Sequence, residues 1–343
     1  MKKEPEILSF SDIPIEPFPD RSTRWLFEDK EYVRDLVEIL ASELAACIDF
    51  SRLSQINRSF IPDTLREQES DMVFTAPFQT ESRTDELLIY ILIEHQSTVD
   101  PIMGFRVLFY MMQIWDFQRR GWESENVPKS QWRFRPILPI VYYTGERRWS
   151  NPLTLDAIMD MPDVLARFVP KFDTLFLSVN EAEAADLTKT DHPLGWLLTV
   201  LQQENADIET LSTALLEAVP HVKHLRKAIA YLLLFILHRR PAAEHEDLIR
   251  LVEQQANEME VENMAKSMAD ILSEQGETRG EIKGEKRGEK RAKREDIIKL
   301  LQIRFDTVPE TVTQKVNKIR SLSRLNSLFE KAATIETLDD FDE

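Results

Sequence analysis

ELLIYILIEHQSTVDP, residues 86–101, decides the fold. Leu87 to Ile93 form an unbroken apolar run, too short for an ordinary helix and rich in residues that suit strands. A strand apolar on both faces belongs in the middle of a sheet. The run then ends in Glu94, His95 and Gln96 before the chain turns at Ser97 to Pro101. A carboxylate and an amide placed directly after a buried strand must either reach solvent or be used. Residues two apart on a strand share a face, so Glu94 and Gln96 project together, while His95 points the other way and is read as a packed or turn histidine.

Three further strands are expected around it: DMVFTAPF from Asp71, ILPIVYYTG from Ile137 and DTLFLSV from Asp173. The first is expected to form a hairpin with the Glu94 strand through the polar loop QTESRTDE. Between the Glu94 strand and ILPIVYYTG, PIMGFRVLFYMMQIWDFQRR reads as a helix, with Asp100 as N-cap and Pro101 in the first turn. Its apolar residues cover most of the circumference, which predicts burial on more than one side. Upstream, STRWLFEDKEYVRDLVEILASELAACI has one apolar helical face, opened by a Ser22 or Thr23 cap, and gives one or two helices. A helix, then strands with an intervening helix, defines a mixed α/β domain.

The arm at 1–20 carries Pro5, Pro14, Pro17 and Pro19 and no periodicity. The α/β domain is expected over 21–184, and helical spacing over 185–274 predicts an α-helical extension. AIAYLLLFIL, from Ala228 to Leu237, is too short to span a bilayer and reads as a buried helix. GETRGEIKGEKRGEKR holds half of the chain's 8 glycines. Glycine at every fourth position costs about 1 kcal/mol each against alanine, so 275–295 is read as a marginal charged helix or, in preference, a solvated flexible linker. A phosphate-seeking arm is the weaker alternative for this segment. Residues 296–343 form a small C-terminal helical module, whose helices offer a route to a homo-oligomer.

The chain has 343 residues, 43% of them hydrophobic, enough for a large core and more than one module. Its single cysteine, Cys47, excludes an internal disulfide and fits a reducing compartment, so the cytoplasm is expected. The N-terminus lacks the apolar stretch of a secretory signal, and no membrane association is expected. A net charge of -17 has the wrong sign for passive adhesion to nucleic acid, so any DNA contact must be local or carried by a metal.

The strand pairing predicts the candidate chemistry. Asp71, at the start of one strand, and Glu94, near the end of its antiparallel neighbour, meet at one edge of the sheet. Magnesium takes one or two protein carboxylates and leaves its other positions to water and phosphate. Asp71 and Glu94 are therefore the candidate metal ligands, with Gln96 beside them to position water or a phosphate oxygen. Without further support, acids at strand ends commonly do no more than solvate turns. Arg106 and Tyr110, one turn apart on the following helix beside Gln113, are read either as phosphate contacts or as structural hydrogen-bonding groups. Gly145 is read as allowing the turn after the third strand, and Arg147 and Arg148 as meeting DNA backbone or solvent. His221 and His224 have HxxH spacing but no partner acid or cysteine, which points to a surface helix. No glycine-rich phosphate loop, nucleophile elbow or zinc pattern is present.

Asp71 followed by the strand-borne Glu94-x-Gln96 resembles the PD-(D/E)XK nuclease signature, with glutamine where lysine is usual. The set SFIPDTLREQESDMVF, LLIYILIEHQSTVDPIMGFRVLFYMMQIW, LPIVYYTGERRW and FDTLFLSV, in that order over roughly residues 22–184, resembles the recombination-promoting nuclease or transposase family, also called YhgA-like. The glycine and charge repeat and the terminal module are similar to what members carry downstream. This resemblance implies a restriction-endonuclease-like mixed sheet flanked by helices that cuts DNA with magnesium or another divalent cation and promotes recombination. It also implies that Asp71, Glu94 and Gln96 are the catalytic set and that one of Glu28, Asp29 or Glu31 joins the site. A glutamine supplies a dipole where lysine supplies charge, so the rate is affected more than the identity of the site. Two other readings stay open: a non-catalytic nuclease-fold scaffold for protein partners, and strand transfer in place of hydrolysis.

Overall fold

The computed structural model of the chain describes residues 20–56, 72–79, 87–256 and 258–341. Asp71 and the arm at 1–19 lie outside the described residues. Five strands form one mixed sheet in sequential order: β1 (Ser54–Gln55), β2 (Met72–Phe78), β3 (Leu87–Gln96), β4 (Ile137–Tyr143) and β5 (Leu175–Ser178). β3 lies in the middle, antiparallel to β2 and parallel to β4, and β4 is parallel to β5. The register pairs Met72 with Ile93 and Gln96 with Tyr143. The two-residue β1 escaped the sequence reading because it is too short to show alternation.

The continuous apolar run of β3 reflects burial on both faces, with Ile91, Leu92 and Ile93 fully buried. Tyr90 and Leu92 pack with Val73 of β2 and with Tyr110 and Ile114 of α3 (Met103–Ser124). His95, of the opposite parity, lies beside Tyr142 of β4, which meets Phe27 of α1 (Asp20–Phe27) edge-on. α3 also covers β4 through Met103, Val107 and Met111 against Val141.

Two expectations about α3 are corrected. The helix begins at Met103, and Asp100 is not its N-cap; its carboxylate accepts from the amide of Ile102 at 2.9 Å in the preceding turn. The helix is also buried on one face only, since Phe105 is 51% and Met112 53% exposed. Ser22 and Thr23 likewise sit inside α1 rather than capping it, and Thr23 lies 3.4 Å from the hydroxyl of Tyr231. The cap of α2 (Lys30–Ala45) is Asp29, which accepts from the amide of Glu31.

The helices that follow β5 are α4 (Ala184–Thr188), α5 (Pro193–Leu201), α6 (Ile208–Val222), α7 (Arg226–Arg239) and α8 (Ala242–Gln255). α7 is the expected buried helix, enclosed from Ala228 to Ile236. Asp35 of α2, fully buried, ties α5 to the core by accepting from the amide of Leu194 at 3.2 Å and from Arg34 at 3.3 Å. Burial pushes the Asp35 carboxyl up, opposed by Leu194, His192 and Arg34. His192 bridges Asp35 and Glu38. Gly195 is required by space, because a Cβ there would lie 1.9 Å from the carbonyl oxygen of Leu187.

The chain divides into two compact units, Met1–Ala269 and Asp270–Glu343. α9 (Glu258–Phe305) is one continuous helix of 48 residues and includes the glycine repeat, so the preferred reading of that repeat as a flexible linker is corrected. The helix alternative prevails with exposed Glu and Lys or Arg partners one turn apart, as at Arg291 and Glu295. At Gly288 a Cβ would meet open space, so among the described residues no helix packs there. In the second unit, Ile297 and Leu301 join Val312 and Val316 of α10 (Glu310–Lys318) and Leu325 and Ala332 of α11 (Leu322–Thr334) in a small core.

Candidate active site

The end of β3 holds three buried polar residues in a row: Glu94, His95 and Gln96. Alternation splits them as expected. Gln96 Nε2 donates to Glu94 Oε1 over 2.6 Å on the face covered by α3. His95 Nε2 lies 2.9 Å from Thr144 Oγ1 on the other side. Burial pushes the His95 imidazole down to about 3, so it is neutral at ordinary pH.

Helix α3 brings a cation to the carboxylate. Arg106 Nε lies 3.1 Å from Glu94 Oε1, Nη1 lies 3.1 Å from Asp100 Oδ2, and Nη2 donates to the Tyr110 hydroxyl over 3.5 Å. Burial works to lower the Arg106 pKa, but the charges of Glu94 and Tyr110 and bonds to Tyr110 and Asp100 outweigh it and hold the guanidinium above its ordinary value. One guanidinium thus bridges two carboxylates. Asp100 as this second acid was not foreseen, because its spacing to Arg106 crosses a turn and only the folded chain brings them together. The Asp-Pro pair before an apolar helix is more readily read as a cap.

The loop after β4 lies at the same end of the sheet, since the Thr144 amide donates to the Gln96 carbonyl at 2.9 Å. Gly145 allows close approach there: a Cβ would fall 2.3 Å from the Tyr143 hydroxyl and 2.5 Å from the Ser97 carbonyl oxygen. Its φ is not positive, so space rather than backbone conformation requires the glycine. Arg147 is exposed, and its carbonyl accepts from the Tyr143 hydroxyl at 2.6 Å. Arg148 pairs with Glu181. The site therefore lies at the end of a central strand, not along a lateral edge of the sheet.

Of the N-terminal acids, Asp29 caps α2 and Glu31 pairs with Arg34 at 2.7 Å, while Glu28 is exposed. His221, read as lacking a partner acid, pairs with Asp191 at 2.7 Å and stacks on Trp196, which corrects that expectation. Among the described residues no group of three or more His, Cys, Asp or Glu side chains is placed to hold a metal. Asp71, the expected second ligand, lies outside that set. The chemistry of Glu94 fits a hard cation in part: it offers carboxylate oxygens, but the neighbouring Arg106 partly neutralises them.

A mixed sheet with an acid and an amide at the end of its central strand, followed by a helical extension, is a nuclease-like α/β core. The chain belongs to the family described as "Putative transposase, YhgA-like", whose model matches residues 19–229. It is 30% identical over 115 residues to the recombination-promoting nuclease RpnD of Escherichia coli O157:H7, covering 33% of this chain and 40% of that protein. It is 28% identical over 117 residues to the recombination-promoting nuclease RpnC of Escherichia coli K12, covering 34% and 35%. A longer match, 26% identical over 212 residues and covering 59% and 66%, is to the inactive recombination-promoting nuclease-like protein RpnE of Escherichia coli K12. The chain thus spans two fifths or less of the length of the first two relatives. No solved structure matches. Among the described residues no helix is long and apolar enough to cross a membrane.

Proposed function

We propose that the chain is a divalent-metal-dependent DNA endonuclease that promotes recombination, with its site at the end of β3. The observation that carries this reading is the fully buried Glu94 carboxylate bonded to Gln96 at 2.6 Å. A charge held there is costly unless it is used or paired. Relatives named as nucleases support the same reading.

Glu94 would hold the ion through its carboxylate, where Gln96 and Arg106 both contact Oε1. Asp71 is the second ligand in this reading, because it is joined directly to Met72, whose partner in the register, Ile93, precedes Glu94. The bound ion supplies Lewis acidity and lowers the pKa of an attacking water. Gln96, which donates one amide N–H to Glu94, is assigned to orient water or a phosphate oxygen beside it. Arg106 supplies from the helix the positive charge that a strand lysine would bring, and with Tyr110 and Arg147 it is assigned to the phosphate. Hydrolysis adds water across the P–O bond by in-line attack.

The test is nicking of supercoiled plasmid by purified protein with magnesium, with chelator, and after Asp71→Ala or Glu94→Ala. Loss of cutting in all three controls is expected; equal cutting by every form would sink the reading.

A second reading, a catalytically silent scaffold for protein partners, is favoured by the Arg106–Glu94 ion pair at 3.1 Å, which opposes cation binding, and by the relative named inactive. Calorimetry showing no magnesium binding, together with recovery of a stable protein partner, would select it.

A further inference from the structure

The second unit carries a cationic pocket that the nuclease site does not use. Between Thr311 and Phe329 the sequence holds Lys315, Lys318, Arg320 and Arg324 and no carboxylate, in a chain of net charge -17. The fold turns that run into a surface: all four cations line one pocket of about 580 Å³ between α10 and the start of α11. All four are exposed, and among the described residues no carboxylate pairs with Lys318, Arg320 or Arg324. The connection between the helices is held in place by Arg294, which donates to the Ile319 carbonyl at 3.1 Å.

Two features fit the pocket to a phosphate. The N-terminus of α11 opens onto it at Ser321 and Arg324, with no acid in its first turn; Ser321 Oγ accepts from the Arg324 amide at 3.4 Å, and the helix dipole favours an anion there. Its apolar floor, Val316 and Phe341, is already part of the unit's core. What remains for a ligand is the charged rim, which suits a phosphodiester better than an apolar peptide. Attraction between exposed cations and a phosphodiester is screened by salt, so binding is expected to be salt-sensitive.

We propose that this pocket binds the phosphodiester backbone of duplex DNA, separately from the cleavage site. The choice of DNA among phosphodiesters rests on the proposed endonuclease function. Binding of the full chain to a short labelled duplex is measured in chelator, so that no cutting occurs, across a series of salt concentrations. The Lys318→Ala, Arg320→Ala, Arg324→Ala triple variant is expected to bind about tenfold more weakly, with a salt slope smaller by about 0.9 for each phosphate that is no longer neutralised. The charge-conserving Arg320→Lys, Arg324→Lys variant should keep the slope, which separates the effect of charge from that of misfolding. Because binding is read in chelator and without turnover, failure of the cleavage site and failure of this proposal read differently. Unchanged affinity and slope in the triple variant would overturn the proposal, as would equal or tighter binding of duplex RNA through the same residues.

Discussion

Arg106 is the residue on which the site's electrostatics turn. It lies against a carboxylate with no solvent exposure, so Arg106→Ala strands a buried charge. Removing one partner of a buried pair costs about 3 kcal/mol. Urea unfolding should register that loss. His95 gives a separate pH signature. Its folded pKa is depressed to about 3 by burial, against about 6.5 for an unfolded histidine. Stability from keeping it neutral is therefore fully present above about pH 6.5 and falls as pH drops toward 3, by about 1.4 kcal/mol per pH unit. Thermal melts across pH should show a shallower acid limb for His95→Gln than for the native chain. That Glu94 and Gln96 share a face was legible, because strand alternation is local geometry. The grip of Arg106 on Glu94 and Asp100 was not, because it joins a strand end, a turn and a helix that only packing brings together. Sequence offered Arg106 and Asp100 equally good local roles, as phosphate contact and helix cap.

Elements were legible where their pattern was strong and misjudged where two patterns competed. β3 was readable from its unbroken apolar run, whereas α3, apolar over most of its circumference in sequence, keeps Phe105 and Met112 in solvent. Composition gives the faces of a helix without saying which face meets a neighbour. The cap of α5 was hidden for a related reason: its N-cap residue His192 makes no capping bond, and the acceptor for the Leu194 amide comes from Asp35 on α2. Asp35→Ala removes that acceptor from a buried network and should lower stability by about 2 kcal/mol or more, read as a lower urea midpoint. α9 makes the opposite prediction. At Gly288 a methyl group meets nothing, so Gly288→Ala should stabilise the helix by about 1 kcal/mol through helix propensity, seen as increased helical signal on heating.

At the scale of the whole molecule, the proposed metal site has a readout independent of turnover. An ion that binds only the native chain raises its stability by about 2.7 kcal/mol at a concentration one hundred times its dissociation constant. Magnesium should therefore raise the melting temperature of the native protein, chelator should reverse the shift, and Glu94→Ala should abolish it. The net charge of -17 is a sum over the chain, so it could not reveal a cationic pocket formed by one short run in the second unit.

The network around Glu94 is also compact in sequence. Glu94, Gln96, Asp100, Arg106 and Tyr110 all fall within residues 94–110, from the end of one strand through the first two turns of the next helix. Such a segment is inheritable as a cassette: a recombination event that replaced it whole would exchange acid, amide and bridging arginine together. His95 would lose its hydrogen-bond match, since Thr144 lies beyond the segment. Chimeras cut at these boundaries should therefore keep the charge network and fail first at the histidine.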